Sequence, residues 1–305
     1  MLKHIYLHVG PPKTGSTALQ DALFNSADLL SAAGVYVPRQ NNMTCILQPV
    51  RDRLVQRSDP QEYDRLVEVI TTGGRSEHLG RSFTKVVVSC EFLSGLNVDA
   101  LEKIRAILHG GRHRVHAVMY LRDPASLQRS RVQEQLKKGI PYRQTAGKIG
   151  HRNKALFERL SGVFGDALIV REFKGRASGW GILDDFESVC ALPKLVQPTQ
   201  TNTSMSLQAA MILDALSDDT IPASKLRDIV KQVLTIPGDP FTLGREEYET
   251  CLDALAQDAD WANRTFHTSF DMQAVPAISW TQERARILMR PDLRTLLEQI
   301  RSDLR

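Results

Sequence analysis

Long hydrophobic runs are missing from this chain. No apolar stretch approaches the ~18–20 residues that a membrane-spanning helix needs, and the opening MLKHIYLHVGPP is too short, and lacks the small-residue cleavage site, to read as a signal peptide. Cysteine is scarce. Cys45, Cys90, Cys190 and Cys251 stand far apart with no C-x-x-C pair, so neither a zinc site nor a disulfide framework is suggested, and a cytoplasmic, reducing setting is the expectation. No charge of one sign is concentrated anywhere: 39 Lys and Arg against 35 Asp and Glu leave a net +4 spread along the chain. Such a balance suits anionic ligands but does not argue for nucleic acid. Repeats and low-complexity tracts are also absent.

What remains is an ordinary globular composition, 42% hydrophobic and 24% charged, in 305 residues, enough for one large domain or one with a helical annex. Residues 3–9 (KHIYLHV) alternate and then meet Gly-Pro-Pro, as a strand entering a turn does. From Thr14 the set Leu19, Ala22, Leu23, Ala27, Leu30 keeps helical spacing as far as Gly34. VYVP (35–38) reads as a short strand, EYDRLVEVITT (62–72) as a helix, KVVVSCE (85–91) as a strand buried on both faces, and DALEKIRAILHGG (99–111) as a helix. RVHAVMYLRDP (114–124) and ALIVREF (167–173) are further strands. Beyond about residue 200 strand signals cease, and segments near 204–216, 223–235, 245–258 and 283–303 read as helices. Alternating strands and helices predict an α/β fold with a doubly wound parallel sheet of about four or five strands. The expected organisation is a core over residues 1–200 and a helical extension over 201–305 packed on it, with no Pro/Gly/Ser-rich linker between them.

The stretch HVGPPKTGSTALQ (8–20) carries the chemistry. Gly10, four residues, Gly15, then Ser16 and Thr17 reproduce the glycine spacing of the nucleotide loop G-x-x-x-x-G-K-[ST]. The lysine is displaced: Ser16 stands where that loop keeps it, and Lys13 sits in mid-turn. A strand, a glycine turn and a helix start point backbone N–H groups at an anion. Lys13 would then lie over a transferred group and its bridging oxygen, with Thr14–Thr17 on the inner phosphate. The plainer reading is a glycine turn that only starts a helix.

A second constellation is YLRDPASLQRSRVQ (120–133). Arg122 falls at the carboxyl end of a buried strand, where open α/β sheets bind ligands, and Ser130 lies on the following helix, on the side of Ser126. Together they suit one further phosphate. A local pairing of Arg122 with Asp123 is the alternative.

The two stretches, in this order, resemble the sulfotransferases that use 3′-phosphoadenosine 5′-phosphosulfate (PAPS). The resemblance covers about residues 4–24 and 114–135, with weaker echoes in LDDFESV (183–189), NTSMS (202–206) and KGRASGW (174–180), the last at a departing spacing. It implies that Pro12, Lys13, Thr14, Gly15, Ser16 and Thr17 hold the 5′-phosphosulfate and that Arg122 and Ser130 hold the 3′-phosphate. It also implies 3′,5′-ADP as product, no metal, and an acceptor hydroxyl on a small molecule or carbohydrate. A sulfuryl group carries less charge than a phosphoryl group, so a lysine can serve where a divalent cation otherwise would.

Glu91, at the end of its strand, is the candidate base: carbohydrate-acting members place a glutamate comparably, whereas cytosolic small-molecule members use a histidine. A carboxylate is ionised at pH 7 and accepts a hydroxyl proton. Glu91 as a turn cap or an arginine's partner is the other reading. His4 and His8 read as satisfied groups of the first strand, and His109, His113 and His116 as solvated groups near a turn. GIPYRQTAGKIGHRN (139–153) is polar and glycine-broken, as a flap over the acceptor or a solvated loop would be. Two other functions stay open: a P-loop kinase using ATP and magnesium, and a nucleotide-binding module without chemistry.

Overall fold

The computed structural model describes residues 1–11, 13–50, 59–111, 113–150, 152–174, 181–198, 205–217, 221–271, 276 and 278–304. The chain folds as two compact units, Met1–Arg122 with Asn153–Thr201, and Asp123–Arg152 with Asn202–Arg305.

The first unit is an α/β sheet domain. Its elements in chain order are β1 (His4–His8), α1 (Ser16–Asn25), α2 (Ala27–Ala32), β2 (Val35–Tyr36), α3 (Pro60–Thr71), β3 (Arg75–Ser76), β4 (Arg81–Ser82), β5 (Lys85–Ser89), α4 (Val98–Leu108) and β6 (Arg114–Arg122). After the segment that belongs to the other unit come α7 (Asn153–Phe164), β7 (Leu168–Phe173) and α8 (Ile182–Cys190). Five strands form one parallel sheet in the order β2-β5-β1-β6-β7, with His8 opposite Ser89 on one side and Val118 on the other. The continuous apolar runs explain the layout, because Val86–Val88 and Ala117–Leu121 are fully buried, as central parallel strands must be. Helix α1 packs with α8 and α4 packs with α7, while Phe186 of α8 meets the ring of His8 edge-on.

The helix expected from Thr14 to Gly34 is two helices joined at Ser26, whose φ of −96° and ψ of 5° leave the helical range and whose hydroxyl accepts the Val196 N–H at 2.8 Å. The small hairpin of β3 and β4 is too short to show a period in sequence. Two histidines assigned to solvent are packed instead. His116 stacks on Tyr6 at 4.9 Å and shares a 3.1 Å hydrogen bond with His4, and His113 is buried against the Leu108 carbonyl.

The second unit is helical: α5 (Pro124–Lys137), α6 (Tyr142–Thr145), α9 (Leu207–Leu216), α10 (Ala223–Val233), α11 (Arg245–Phe266), α12 (Trp280–Leu288) and α13 (Pro291–Leu304). Asp123 starts α5 by accepting the Ser126 N–H at 2.6 Å, ahead of Pro124 at the first helical position. Helix α9, LQAAMILDAL, is buried on every side and packs against α5, α10, α12 and α13. Its one acid, Asp214, accepts from the Tyr142 N–H at 2.8 Å and Trp280 Nε1 at 3.0 Å and faces Arg284 at 3.4 Å, so the buried charge is matched. The helix expected over 283–303 begins at Trp280 and is broken at Met289–Arg290, because Pro291 has no N–H to continue it and starts α13 instead.

The 139–153 segment departs from a flap. Tyr142 is 1% exposed, stacks on Trp280 with ring centroids 3.5 Å apart, and takes the Gly244 N–H on its hydroxyl at 2.6 Å. Gln128 holds the carbonyls of Ala146 and Lys148 at 3.0 and 2.9 Å, so the segment is anchored at both ends of its turn. His151 lies outside the described residues.

Candidate functional site

β1 is the central strand, so the chain leaving it must turn between the carboxyl ends of β5 and β6. The Val9 N–H donates to Val118 O at 2.8 Å and the Cys90 N–H to His8 O at 3.2 Å, which fastens the base of the loop to both neighbours. Within the loop, Lys13 (φ 74°) and Gly15 (φ 80°) are left-handed and Thr14 between them is not. Alternating handedness turns successive N–H groups toward one side, the geometry of an anion-binding nest. Thr14, fully buried, locks the turn by donating its hydroxyl to Pro11 O at 2.8 Å, so its own contribution to a ligand would be its N–H.

Gly15 is also the N-cap of α1, with no side-chain cap and no acid in the first turn. The N–H groups at that end thus have no side-chain cap among the described residues, the arrangement an anion site uses. A side chain at Gly15 would need a left-handed backbone and would press on Ile182 and Phe173 at 3.2 and 3.3 Å.

Arg122 ends β6 opposite Phe173 of β7. Its guanidinium donates to the Lys13 carbonyl and lies over the Phe173 ring, 5.5 Å from the centroid. Asn153 holds the Arg122 backbone on both sides, giving its Nδ2–H to the carbonyl at 2.9 Å and receiving the N–H at 3.4 Å. The second motif is thereby tied to the first through the backbone of the displaced lysine.

Glu91 follows β5 and opens a 3-10 turn, Glu91–Gly95, whose Ser94 hydroxyl donates to the Glu91 carbonyl at 2.7 Å. Its half-buried carboxylate makes no hydrogen bond or ion pair among the described residues, so it is neither a cap nor an arginine's partner there. Cys90 beside it is no rival nucleophile: burial pushes its thiol up to about 12 and leaves it protonated.

Lys13, Thr14, Gly15, Ser16, Thr17, Arg122 and Glu91 thus stand at or just beyond the carboxyl ends of three adjacent strands, β1, β6 and β5. Pro12 lies outside the described residues, as do 175–180, with Trp180, and 202–204. Ser130 belongs to the second unit, two turns along α5.

The sequence reads His8 as a satisfied strand group, yet only its Nδ1 is met, 2.7 Å from Ser89 Oγ, while Nε2 has no partner among the described residues. Gln20 Nε2 donates to the Ser89 carbonyl at 3.0 Å and the Ser89 N–H meets Met43 Sδ at 3.0 Å, so the floor under the loop is cross-linked from three directions. Complete burial lowers the His8 pKa to about 3 from its ordinary 6.5. Unfolded His8 accepts a proton that the folded residue refuses, so this group makes stability fall as pH drops below about 6.5, levelling off near 3. A histidine ending a buried strand and abutting a glycine loop was the available signal.

Among the described residues no group of three or more His, Cys, Asp or Glu could hold a metal ion, and no helix is long and apolar enough to cross a membrane. No family model and no curated protein matches the chain. Solved structures similar to it include two sulfotransferases. A sulfotransferase from Alicyclobacillus acidocaldarius is 14% identical over 88% of this chain and 98% of its own, with a TM-score of 0.48. The sulfotransferase domain from the curacin biosynthetic pathway is 15% identical over 83% of this chain and 98% of its own, with a TM-score of 0.37. Likenesses this distant carry neither a reaction nor a substrate across to this chain.

Proposed function

We propose that the protein is a sulfotransferase that moves the sulfuryl group of PAPS to an acceptor hydroxyl, a carbohydrate being the acceptor class that a carboxylate base favours. The observation that carries this reading is the loop itself: a nest and an open helix start, with Ser16 where a nucleotide loop keeps lysine and Lys13 in mid-turn with its backbone held by Arg122. The N–H groups of residues 14–17 and the hydroxyls of Ser16 and Thr17 would hold the 5′-phosphate. The acceptor oxygen attacks sulfur, the bond from sulfur to the bridging oxygen breaks, Lys13 meets the charge developing on that oxygen, and Glu91 takes the acceptor's proton. A kinase of this fold needs lysine at position 16, and serine there removes its β/γ-phosphate contact.

Thermal shift separates these readings. At about 100 Kd, 3′,5′-ADP should add roughly 2.7 kcal/mol of stability, undiminished by EDTA. Stabilisation by ATP with magnesium, but not by 3′,5′-ADP, would replace the sulfotransferase with a kinase.

Arg122 and Ser130 are assigned to the 3′-phosphate. A guanidinium presents its N–H donors in a planar fork, the geometry that a phosphate takes. Arg122→Ala should therefore weaken 3′,5′-ADP by about 1.5–3 kcal/mol, the usual loss for a charge-assisted contact, and weaken 5′-AMP much less. Calorimetry that finds equal losses for both nucleotides would reassign Arg122 to holding the loop.

A further inference from the structure

Two polar atoms beneath the loop are buried without a hydrogen-bond partner among the described residues: His8 Nε2 and Ser16 Oγ. Their residues are 0% and 2% exposed. Both face the same place, since a Cβ built on Gly10 would lie 3.0 Å from His8 Nε2 and 3.3 Å from Ser16 Oγ. Gly10 is thus the residue whose missing side chain lets both atoms approach the loop backbone this closely. A buried polar atom without a partner has given up water for nothing, and native proteins seldom leave two at one point unless another group completes them.

The hydrogen-bond inventory decides what His8 presents. If Nδ1 carried the proton and donated to Ser89, the Ser89 hydroxyl hydrogen would lack an acceptor and the Nε2 lone pair would lack a donor. If Ser89 donates to Nδ1, only the Nε2–H is left over. The second arrangement strands one group instead of two, so the side facing Gly10 is an N–H donor. The Ser16 hydroxyl is a second donor. Two donors converging beneath a nest of N–H groups call for an oxyanion.

We propose that His8 is a ligand-binding residue of the loop, its Nε2–H donating, beside Ser16 Oγ–H, to an oxygen of the phosphoryl group held between Gly10 and Thr17. This rests on reading the loop as an anion site but not on PAPS being the donor. A neutral imidazole here adds a hydrogen bond without a charge, and because the folded residue stays unprotonated down to about pH 3, the contact does not titrate in the working range.

The test is imidazole nitrogen NMR on the ¹⁵N-histidine-labelled full chain, titrated separately with inorganic pyrophosphate and with 3′,5′-ADP. Free protein should show His8 neutral with hydrogen on Nε2, and either ligand should shift Nε2 and slow exchange of its hydrogen, with the same result at pH 6 and pH 8. His8→Gln, which keeps a donor near the Nε2 position, should retain most pyrophosphate affinity. His8→Asn, which reaches only the Nδ1 position, should lose about 10- to 100-fold. Pyrophosphate binding that perturbs His8 while 3′,5′-ADP fails to bind would uphold this contact and remove the PAPS reading. Saturation by both ligands with His8 Nε2 unmoved, or hydrogen on Nδ1 in the free protein, overturns the contact and leaves the PAPS reading in place. Failure of both ligands to bind overturns the two together. The wild-type spectra decide the matter even if the variants do not fold.

Discussion

Lys13→Ala should cut turnover by roughly 10²–10³-fold, the usual cost of losing one donor to a developing oxyanion, while barely changing the affinity for 3′,5′-ADP. The two effects separate because the product no longer carries the sulfuryl group or the bridging oxygen that the ammonium serves. The loss belongs to the transition state, so it should appear in kcat with KM for the donor little altered. Backbone geometry supplies a control. Lys13 sits at φ 74°, a left-handed conformation that costs a non-glycine residue energy and that collects at functional sites. Lys13→Gly should be at least as stable as wild type by thermal melting and as inactive as Lys13→Ala, which would separate the ammonium's role from the turn's. Parallel losses of turnover and 3′,5′-ADP binding in both variants would make Lys13 a phosphate anchor instead.

Much of this was readable in the chain because its signals are local. The runs VVV (86–88) and VMYL (118–121) are apolar throughout and lie in the sheet's buried strands, and Gly10, Gly15 and Ser16 keep a spacing that only needs counting. The kink at Ser26 and the restart at Pro291 were misjudged because apolar spacing continues across both, although Pro291 marked its own break. What could not be read was pairing at long range. His8 meets Ser89 across 81 positions and Arg122 meets Lys13 across 109, and both contacts exist only once β1 is placed between β5 and β6 in this register. His116 was assigned to solvent for the same reason, since its partner His4 lies on the neighbouring strand. The candidate residues were therefore legible one by one, and the donors and ties that organise them were not.

Glu91→Gln should lower kcat by about 10²–10⁴-fold, the range for loss of a general base, with donor binding nearly unchanged. The case is positional. β5 is hydrogen-bonded to β1 in parallel, so the chain leaves both strands at the same edge, and the loop that follows His8 and the turn that follows Ser89 are neighbours. The Cys90 N–H to His8 O bond carries that neighbourhood one residue beyond the strand. Glu91 comes next, and its carboxylate is not committed to any hydrogen bond or ion pair among the described residues, as a group that must accept a substrate's proton requires. Glutamine keeps the shape and the hydrogen-bonding reach but cannot take the proton. The loss should therefore fall on kcat and not on the affinity for 3′,5′-ADP, and Glu91→Asp, which moves the carboxylate back by one methylene, should retain part of the activity. Near-normal turnover of the glutamine variant on its acceptor would remove Glu91 from the chemistry. His8 could not replace it, because burial and its bond to Ser89 fix it beneath the loop, so another carboxylate or histidine would have to serve.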